Sequence, residues 1–161
     1  MSGWTEWTNI SQKEEFKKLY RASGVYKLRA VHSVGSPIEI GRFQDTDKDG
    51  ILLIGNSKRV GERIRDFYKA YEEYKFSRHN VGERLFLLRF LLGNVTSFQE
   101  RVCAIEFSVE ELKNKNEAEA EEERLLKCYV LKYAELPPLN RNLPDNHYTQ
   151  WNNLNCKEGL S

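Results

Sequence analysis

The chain has 161 residues, of which 40% are hydrophobic and 12% aromatic, enough for one compact domain with a core but not for two ordinary domains. Its 25 basic and 24 acidic residues nearly cancel, which excludes a protein dominated by a polybasic or an acidic disordered segment. No apolar run approaches the roughly 20 residues needed to cross a bilayer, so we expect no membrane-spanning segment and no membrane partner.

The termini and the cysteines bear on the cellular compartment. The first ten residues lack the basic start and apolar block of a secretory signal, which predicts a protein that stays inside the cell. The three cysteines, Cys103, Cys128 and Cys156, are odd in number and have no CxxC spacing. This pattern predicts neither a disulfide framework nor a zinc site, and it favours the reducing cytoplasm.

The first third of the chain alternates a short helix with candidate strands. Ser11 and Glu14 form a capping-box pattern, which predicts an opening helix. Residues 25–31 alternate polar and apolar side chains and are predicted to form a strand, followed by a second extended piece at 38–43. The continuous apolar run at 51–54 is typical of a central strand that is covered on both faces.

The segment 45–50 begins like a calcium-binding EF-hand loop, with Asp45, Asp47 and Asp49 followed by Gly50. The twelfth position of such a loop requires a glutamate and is occupied here by Asn56. The residues after Gly50 also favour a strand over a helix. We therefore interpret the segment as an Asp-rich turn between strands.

The middle of the chain is predicted to be mainly helical. Ser57 can cap a helix with an apolar stripe, and residues 81–92 are predicted to form a second, largely buried helix that ends at Gly93. Residues 101–107 are predicted to form a further strand.

A second capping-box pattern, Ser108 and Glu111, precedes a long helix predicted at about 117–133, which two prolines at 137 and 138 terminate. The tail, 141–161, has no periodicity and is expected to pack irregularly on the surface. The order of elements predicts one α+β domain over residues 1–161, with a small antiparallel or mixed sheet flanked by helices.

A basic segment at 57–69 leaves two interpretations open. It contains five basic residues against two acidic ones. The basic residues could form a surface that faces phosphates, or a solvated helix face crossed by ion pairs. They are Lys58, Arg59, Arg63, Arg65 and Lys69.

Several motifs together resemble the GIY-YIG nuclease family over residues 24–140. The tripeptides Gly24-Val25-Tyr26 and Leu53-Ile54-Gly55 resemble the pair that names the family. The family arginine, about eight residues after the second tripeptide, is matched by Arg63. Its metal-binding glutamate, three residues before an apolar pair, is matched by Glu122, and its Pro-x-Asn ending by Asn140.

The resemblance implies a stand-alone DNA endonuclease of restriction or phage type that requires Mg²⁺ or another divalent cation such as Mn²⁺. In this interpretation Tyr26 orients or deprotonates the attacking water, Arg63 binds phosphate oxygens and Glu122 holds the cation. An enzyme that cuts both strands of a palindrome would most simply act as a homodimer. Further nucleic-acid contacts are assigned to Lys58, Arg59, Arg65 and Asn140.

Two departures from the family pattern keep an alternative open. Leu53 replaces the tyrosine of the second tripeptide, and an insertion at about 33–49 separates the two tripeptides. A polar group could be supplied instead by Tyr68, Arg42 or His79, of which we include His79 as a further catalytic candidate. Otherwise the chain is a catalytically inactive module that binds nucleic acid or protein. Target specificity is expected to come from the insertion, the 69–81 connection and the tail.

Overall fold

The computed structural model describes residues 3–32, 35–71, 81–82, 104–142, 151 and 154–156. Within these ranges the chain forms six strands and three helices. The strands are β1 (Thr8–Asn9), β2 (Ser23–Val31), β3 (Ile40–Gly41), β4 (Thr46–Asp47), β5 (Ile51–Ser57) and β6 (Ala104–Leu112), and the helices are α1 (Lys13–Lys18), α2 (Val60–Tyr71) and α3 (Lys115–Tyr133).

The main sheet is antiparallel and has the strand order β1-β6-β2-β5, which confirms an α+β protein. The central strand, β2, pairs with β6 along its whole length and with β5 over most of it. The second sheet is the two-stranded hairpin formed by β3 and β4. The expected strands at 25–31 and 51–54 are therefore present, and both are longer than predicted.

Helices cover the main sheet on both faces, which explains the apolar run in β5. One core cluster joins the sheet to α1 and α2 and includes Phe16, Leu28 and Ile64. A second cluster joins the opposite face to α3 and includes Ile54 and Leu125. Because β5 contributes to both clusters, successive side chains at 51–54 are all buried.

The Asp-rich segment is a turn, as predicted, and Asp47 organises it. The fully buried Asp47 carboxylate accepts hydrogen bonds from the backbone N–H groups of Asp49, Gly50 and Ile51, at 2.9, 3.2 and 3.0 Å. The hydroxyl of Tyr129 on α3 donates a fourth bond at 2.8 Å. Both carboxylate oxygens of Asp47 thus join the β4–β5 turn to α3, so this aspartate stabilises the fold.

Two predicted capping boxes are wrong. The N-cap of α1 is Gln12, without a side-chain capping bond, rather than Ser11. Ser108 and Glu111 lie inside β6, where both pair with β2, and the Ser108 hydroxyl donates to the carbonyl of Thr5. Long-range strand pairing therefore overrides the local capping pattern. The true N-cap of α3 is Asn114, whose side chain accepts a hydrogen bond from the N–H of Glu117 at 3.0 Å.

The end of α3 agrees with the prediction: the helix ends at Tyr133, and Ala134 adopts a left-handed conformation at its C-cap. The strand predicted at 101–107 is found at Ala104–Leu112 within the described residues. Of the helix predicted at 81–92, only residues 81 and 82 are described, and both are helical. No helix in the described ranges is long and apolar enough to span a membrane.

The prediction that excluded disulfides is wrong. Cys128 on α3 and Cys156 in the tail form a disulfide, with their Cα atoms 5.4 Å apart. The two cysteines are 28 positions apart in the sequence, so no local spacing could reveal the pair. The buried side chain of Trp151 also lies close to α3, within 6.0 Å of the Lys127 ammonium. The cytoplasmic assignment therefore loses the support that the cysteines gave it and stays a prediction.

Candidate active site

The ladder between β2 and β5 places Tyr26 directly opposite Gly55. A Cβ atom built on Gly55 would lie 2.7 Å from both the Cζ and the Oη of Tyr26. The phenol of Tyr26 therefore lies across the backbone of Gly55, a position that a side chain on residue 55 would fill. The two tripeptides noted in the sequence thus contact each other across the sheet.

Arg63 approaches the same phenol from α2. The start of this helix is fixed beside β2, because the N–H of Val60 donates to the carbonyl of Ala22 at 2.9 Å. Gly61 allows α2 to pack closely on α1, since a Cβ there would lie 2.1 Å from the carbonyl oxygen of Phe16. From this position the Arg63 guanidinium hydrogen-bonds to the Tyr26 phenol.

Burial is the main influence on the pKa of the Tyr26 phenol. Tyr26 is almost completely buried, and this burial raises its pKa above the ordinary value of 10.0. The charge and hydrogen bond of Arg63 act in the opposite direction, whereas the negative charge of Glu122 adds to the rise. The net effect is a higher pKa, so the phenol is neutral at physiological pH and suits orienting a water better than deprotonating it.

Glu122 extends from α3 toward β5. The side-chain amide of Asn56 donates a hydrogen bond to Glu122 Oε2. Burial and the nearby charge of Glu119 raise the pKa of Glu122, and the bond from Asn56 partly offsets this rise. Leu125 and Leu126 are both buried against the sheet, which fixes the rotation of α3 about its axis and hence the direction of Glu122.

The acidic neighbours of Glu122 have a different environment. Each is paired with a basic residue of the same helix: Lys115 with Glu119, Arg124 with Glu121, and Lys127 with Glu123. Glu122 instead faces the sheet. The structure therefore distinguishes the environment of Glu122 from those of Glu119, Glu121 and Glu123, while its role as a metal ligand stays a prediction.

The side-chain amide of Asn140 forms hydrogen bonds with the backbone of β5. Its Oδ1 accepts a hydrogen bond from the N–H of Ile54 at 3.0 Å, and its Nδ2 donates to the Ile54 carbonyl at 2.8 Å. The N–H of Leu139 donates to the carbonyl of Leu52 at 2.9 Å. These bonds cover the outer edge of β5. Asn140 thus has a structural role, and its contact with nucleic acid stays a prediction.

Leu53, which stands at the tyrosine position of the second tripeptide in the resemblance, has its side chain buried in the core. The proposed substitutes are not brought to Tyr26 in the described residues. The Tyr68 ring packs near Phe16 on α1, and Arg42 pairs with Glu135 beyond the C-terminal end of α3. His79 lies outside the described residues.

The basic residues of 57–69 have mixed environments. Lys58 and Arg59 are exposed between β5 and α2, and Arg59 lies 3.5 Å from Glu62. Arg65 pairs with Asp66 at 2.9 Å. Ion pairing thus accounts for part of this surface, while Lys58 and Arg59 remain accessible to a large ligand. Contact between these residues and nucleic acid stays a prediction.

No protein-family model, curated protein or solved structure matches this chain. The described residues also hold no group of three or more His, Cys, Asp or Glu side chains that could bind a metal ion. The residues that bear on function are therefore Tyr26, Arg63 and Glu122, which come from β2, α2 and α3. Sequence reasoning overlooked Asn56, although the alternation of side chains along β5 directs it away from Gly55 and toward the α3 face.

Proposed function

We propose that this protein is a divalent-cation-dependent DNA endonuclease of the GIY-YIG type, acting as a stand-alone restriction-type or phage-type enzyme. One observation carries the proposal: the hydrogen bond of Arg63 to the Tyr26 phenol, whose pKa the negative charge of Glu122 raises. These residues come from α2, β2 and α3, three elements far apart in the sequence. A guanidinium, a phenol and a carboxylate together are suited to phosphodiester hydrolysis.

Each side chain has a distinct part in the proposed reaction. Arg63 stays charged at any working pH, and its planar guanidinium matches the geometry of phosphate oxygens. Tyr26, kept neutral by burial, would hold the attacking water through its hydroxyl. Lys58 and Arg59 would contact the flanking backbone, which contributes affinity that declines with salt.

The environment of Glu122 fits a divalent cation. Its carboxylate is partly buried, is exposed to the negative charge of Glu119 and receives its hydrogen bond from a neutral amide. A bound cation would relieve this unfavourable environment, and Mg²⁺ commonly uses one or two carboxylates together with several waters. When bound, it would stabilise negative charge on the phosphoryl and leaving oxygens.

Cleavage of supercoiled plasmid by the full chain, with Mg²⁺ and with EDTA, tests the proposal. We expect metal-dependent nicking that falls by roughly 100-fold or more in Arg63→Ala and in Glu122→Ala, because each removes charge stabilisation of the transition state. Lys18→Ala is the matched control, since Lys18 is exposed on α1 and pairs with Glu15. Nicking that survives both active-site substitutions would assign the activity to another site or to a contaminant.

A non-catalytic module is the second candidate, and the buried Leu53 favours it. Leucine offers no hydrogen bond where the family has a phenol, and neither Tyr68 nor Arg42 replaces that phenol in the described residues. This candidate predicts salt-sensitive DNA binding without any metal-dependent product. Filter binding across a salt series, run on the plasmid-assay samples, separates the two candidates.

A further inference from the structure

We propose that Asn56 is a positioning residue that holds the Glu122 carboxylate ready for a divalent cation. The inference rests on the proposed function and adds a residue that the family resemblance does not assign. It begins from the hydrogen bond between Asn56 Nδ2 and Glu122 Oε2, which joins two side chains 66 positions apart.

The position of Asn56 is set by strand alternation. Tyr26 lies against Gly55, whereas the next side chain, Asn56, points to the opposite face of the sheet. Ile54, two residues earlier, belongs to the core cluster that includes α3. The backbone of Asn56 is itself in register with Val25 of β2. The amide therefore extends from a strand held by its neighbour, which limits its movement.

The other partner is equally constrained. Glu122 precedes the buried pair Leu125 and Leu126 by about one helical turn, so the helix backbone beneath it is packed on the sheet. Only the glutamate side-chain torsions remain to be fixed. The bond from Asn56 fixes them through Oε2, and among the described residues no hydrogen bond to Oε1 competes with a ligand.

The chemistry of the donor supports a role beyond stability. A neutral amide compensates part of the cost of burying a carboxylate without cancelling its charge. Glu119, Glu121 and Glu123 are instead paired with cationic side chains, which would compete with a metal ion. Asn56 thus orients Glu122 without placing a competing positive charge beside its carboxylate.

The test is the affinity of the full chain for Mn²⁺, measured by calorimetry without DNA. Asn56→Leu keeps a similar side-chain size and removes the donor. We expect its Mn²⁺ affinity to fall by roughly 10- to 100-fold, the range seen when outer-sphere hydrogen bonds to metal ligands are lost. Cleavage by this variant should recover when the Mn²⁺ concentration is raised by the same factor as the loss of affinity. We expect the Mn²⁺ concentration for half-maximal cleavage to change more than kcat at saturating Mn²⁺.

Asn114→Ala is the matched control. It removes the N-cap bond of α3 without touching Glu122, so it lowers helix stability and should leave Mn²⁺ affinity unchanged. Unchanged affinity in Asn56→Leu, or an equal loss in Asn114→Ala, would overturn the inference.

Glu122→Gln separates this inference from the proposed function. Loss of Mn²⁺ binding in Glu122→Gln but not in Asn56→Leu would overturn only the role of Asn56. Retained binding in Glu122→Gln, or no binding by the unmodified chain, would overturn the cation assignment and the inference together.

Discussion

The phenol of Tyr26 lies across Gly55, its partner in the β2–β5 ladder. The two tripeptides therefore contact each other where the Tyr26 ring covers the backbone of Gly55, which has no side chain. This contact leaves the phenol within hydrogen-bonding reach of Arg63. The requirement at residue 55 is steric, because the space that a Cβ would occupy is taken by the aromatic ring.

Gly55→Ala is expected to displace the Tyr26 ring from Arg63 and to destabilise the fold by about 1–3 kcal/mol, since the new methyl would lie 2.7 Å from the ring. Urea unfolding measures the stability, and nuclear magnetic resonance of labelled tyrosine reports the ring. Gly41→Ala is the control, because a Cβ there meets nothing within 4 Å. An undisturbed ring and unchanged stability would contradict the steric argument.

Asn140→Ala is expected to lower the free energy of unfolding by about 1–3 kcal/mol, because it leaves the backbone groups of Ile54 without their partners at the edge of β5. Urea unfolding of this variant beside Asn142→Ala, at an exposed position two residues later, measures the effect. Equal stability of the two variants would refute a structural role for Asn140.

Glu122→Gln is expected to stabilise the protein at pH 7 while abolishing the proposed cleavage. Burial and Glu119 raise the folded-state pKa of Glu122 above 4.5, so the folded protein retains a proton that the unfolded chain releases. Stability therefore declines as pH rises through that window, so the penalty is larger at pH 7 than at pH 4. Unfolding at pH 4 and pH 7 should show the gain only at pH 7.

Glu121→Gln is the control for this comparison, because it removes the partner of Arg124 on the same helix and should give no gain. A loss of stability in Glu122→Gln at pH 7 would show that burying the ionised Glu122 carboxylate near Glu119 does not destabilise the fold.

Lys27 gives a pH dependence of the opposite sign. Its side chain is fully buried, with the ammonium 4.0 Å from the Trp4 ring centroid, and burial lowers its pKa to about 8 from 10.5. Between these values the unfolded chain binds a proton that the folded protein has released, so stability rises with pH. Asp49 and Glu110 moderate the shift, and Arg29 adds to it.

Lys27→Met should remove this dependence. The stability of the unmodified chain relative to the variant is expected to increase by about 2 kcal/mol between pH 7 and pH 10. Urea unfolding at several pH values measures the difference, with the exposed Lys58→Met as the control for a lost surface charge. A constant difference across this range would contradict the effect of burial on Lys27.

The sequence by itself determined the strand at the apolar run 51–54, the end of the long helix at Tyr133 and the spacing from Gly55 to Arg63. These features depend on alternation, helical periodicity and proline, all of which act over a few neighbouring residues. Only the tertiary structure decided that Ser108 lies in a strand, that Cys128 bonds to Cys156 and that Asn56 contacts Glu122. Those outcomes require partners that are distant along the chain, and local sequence patterns do not specify which distant segments pack together.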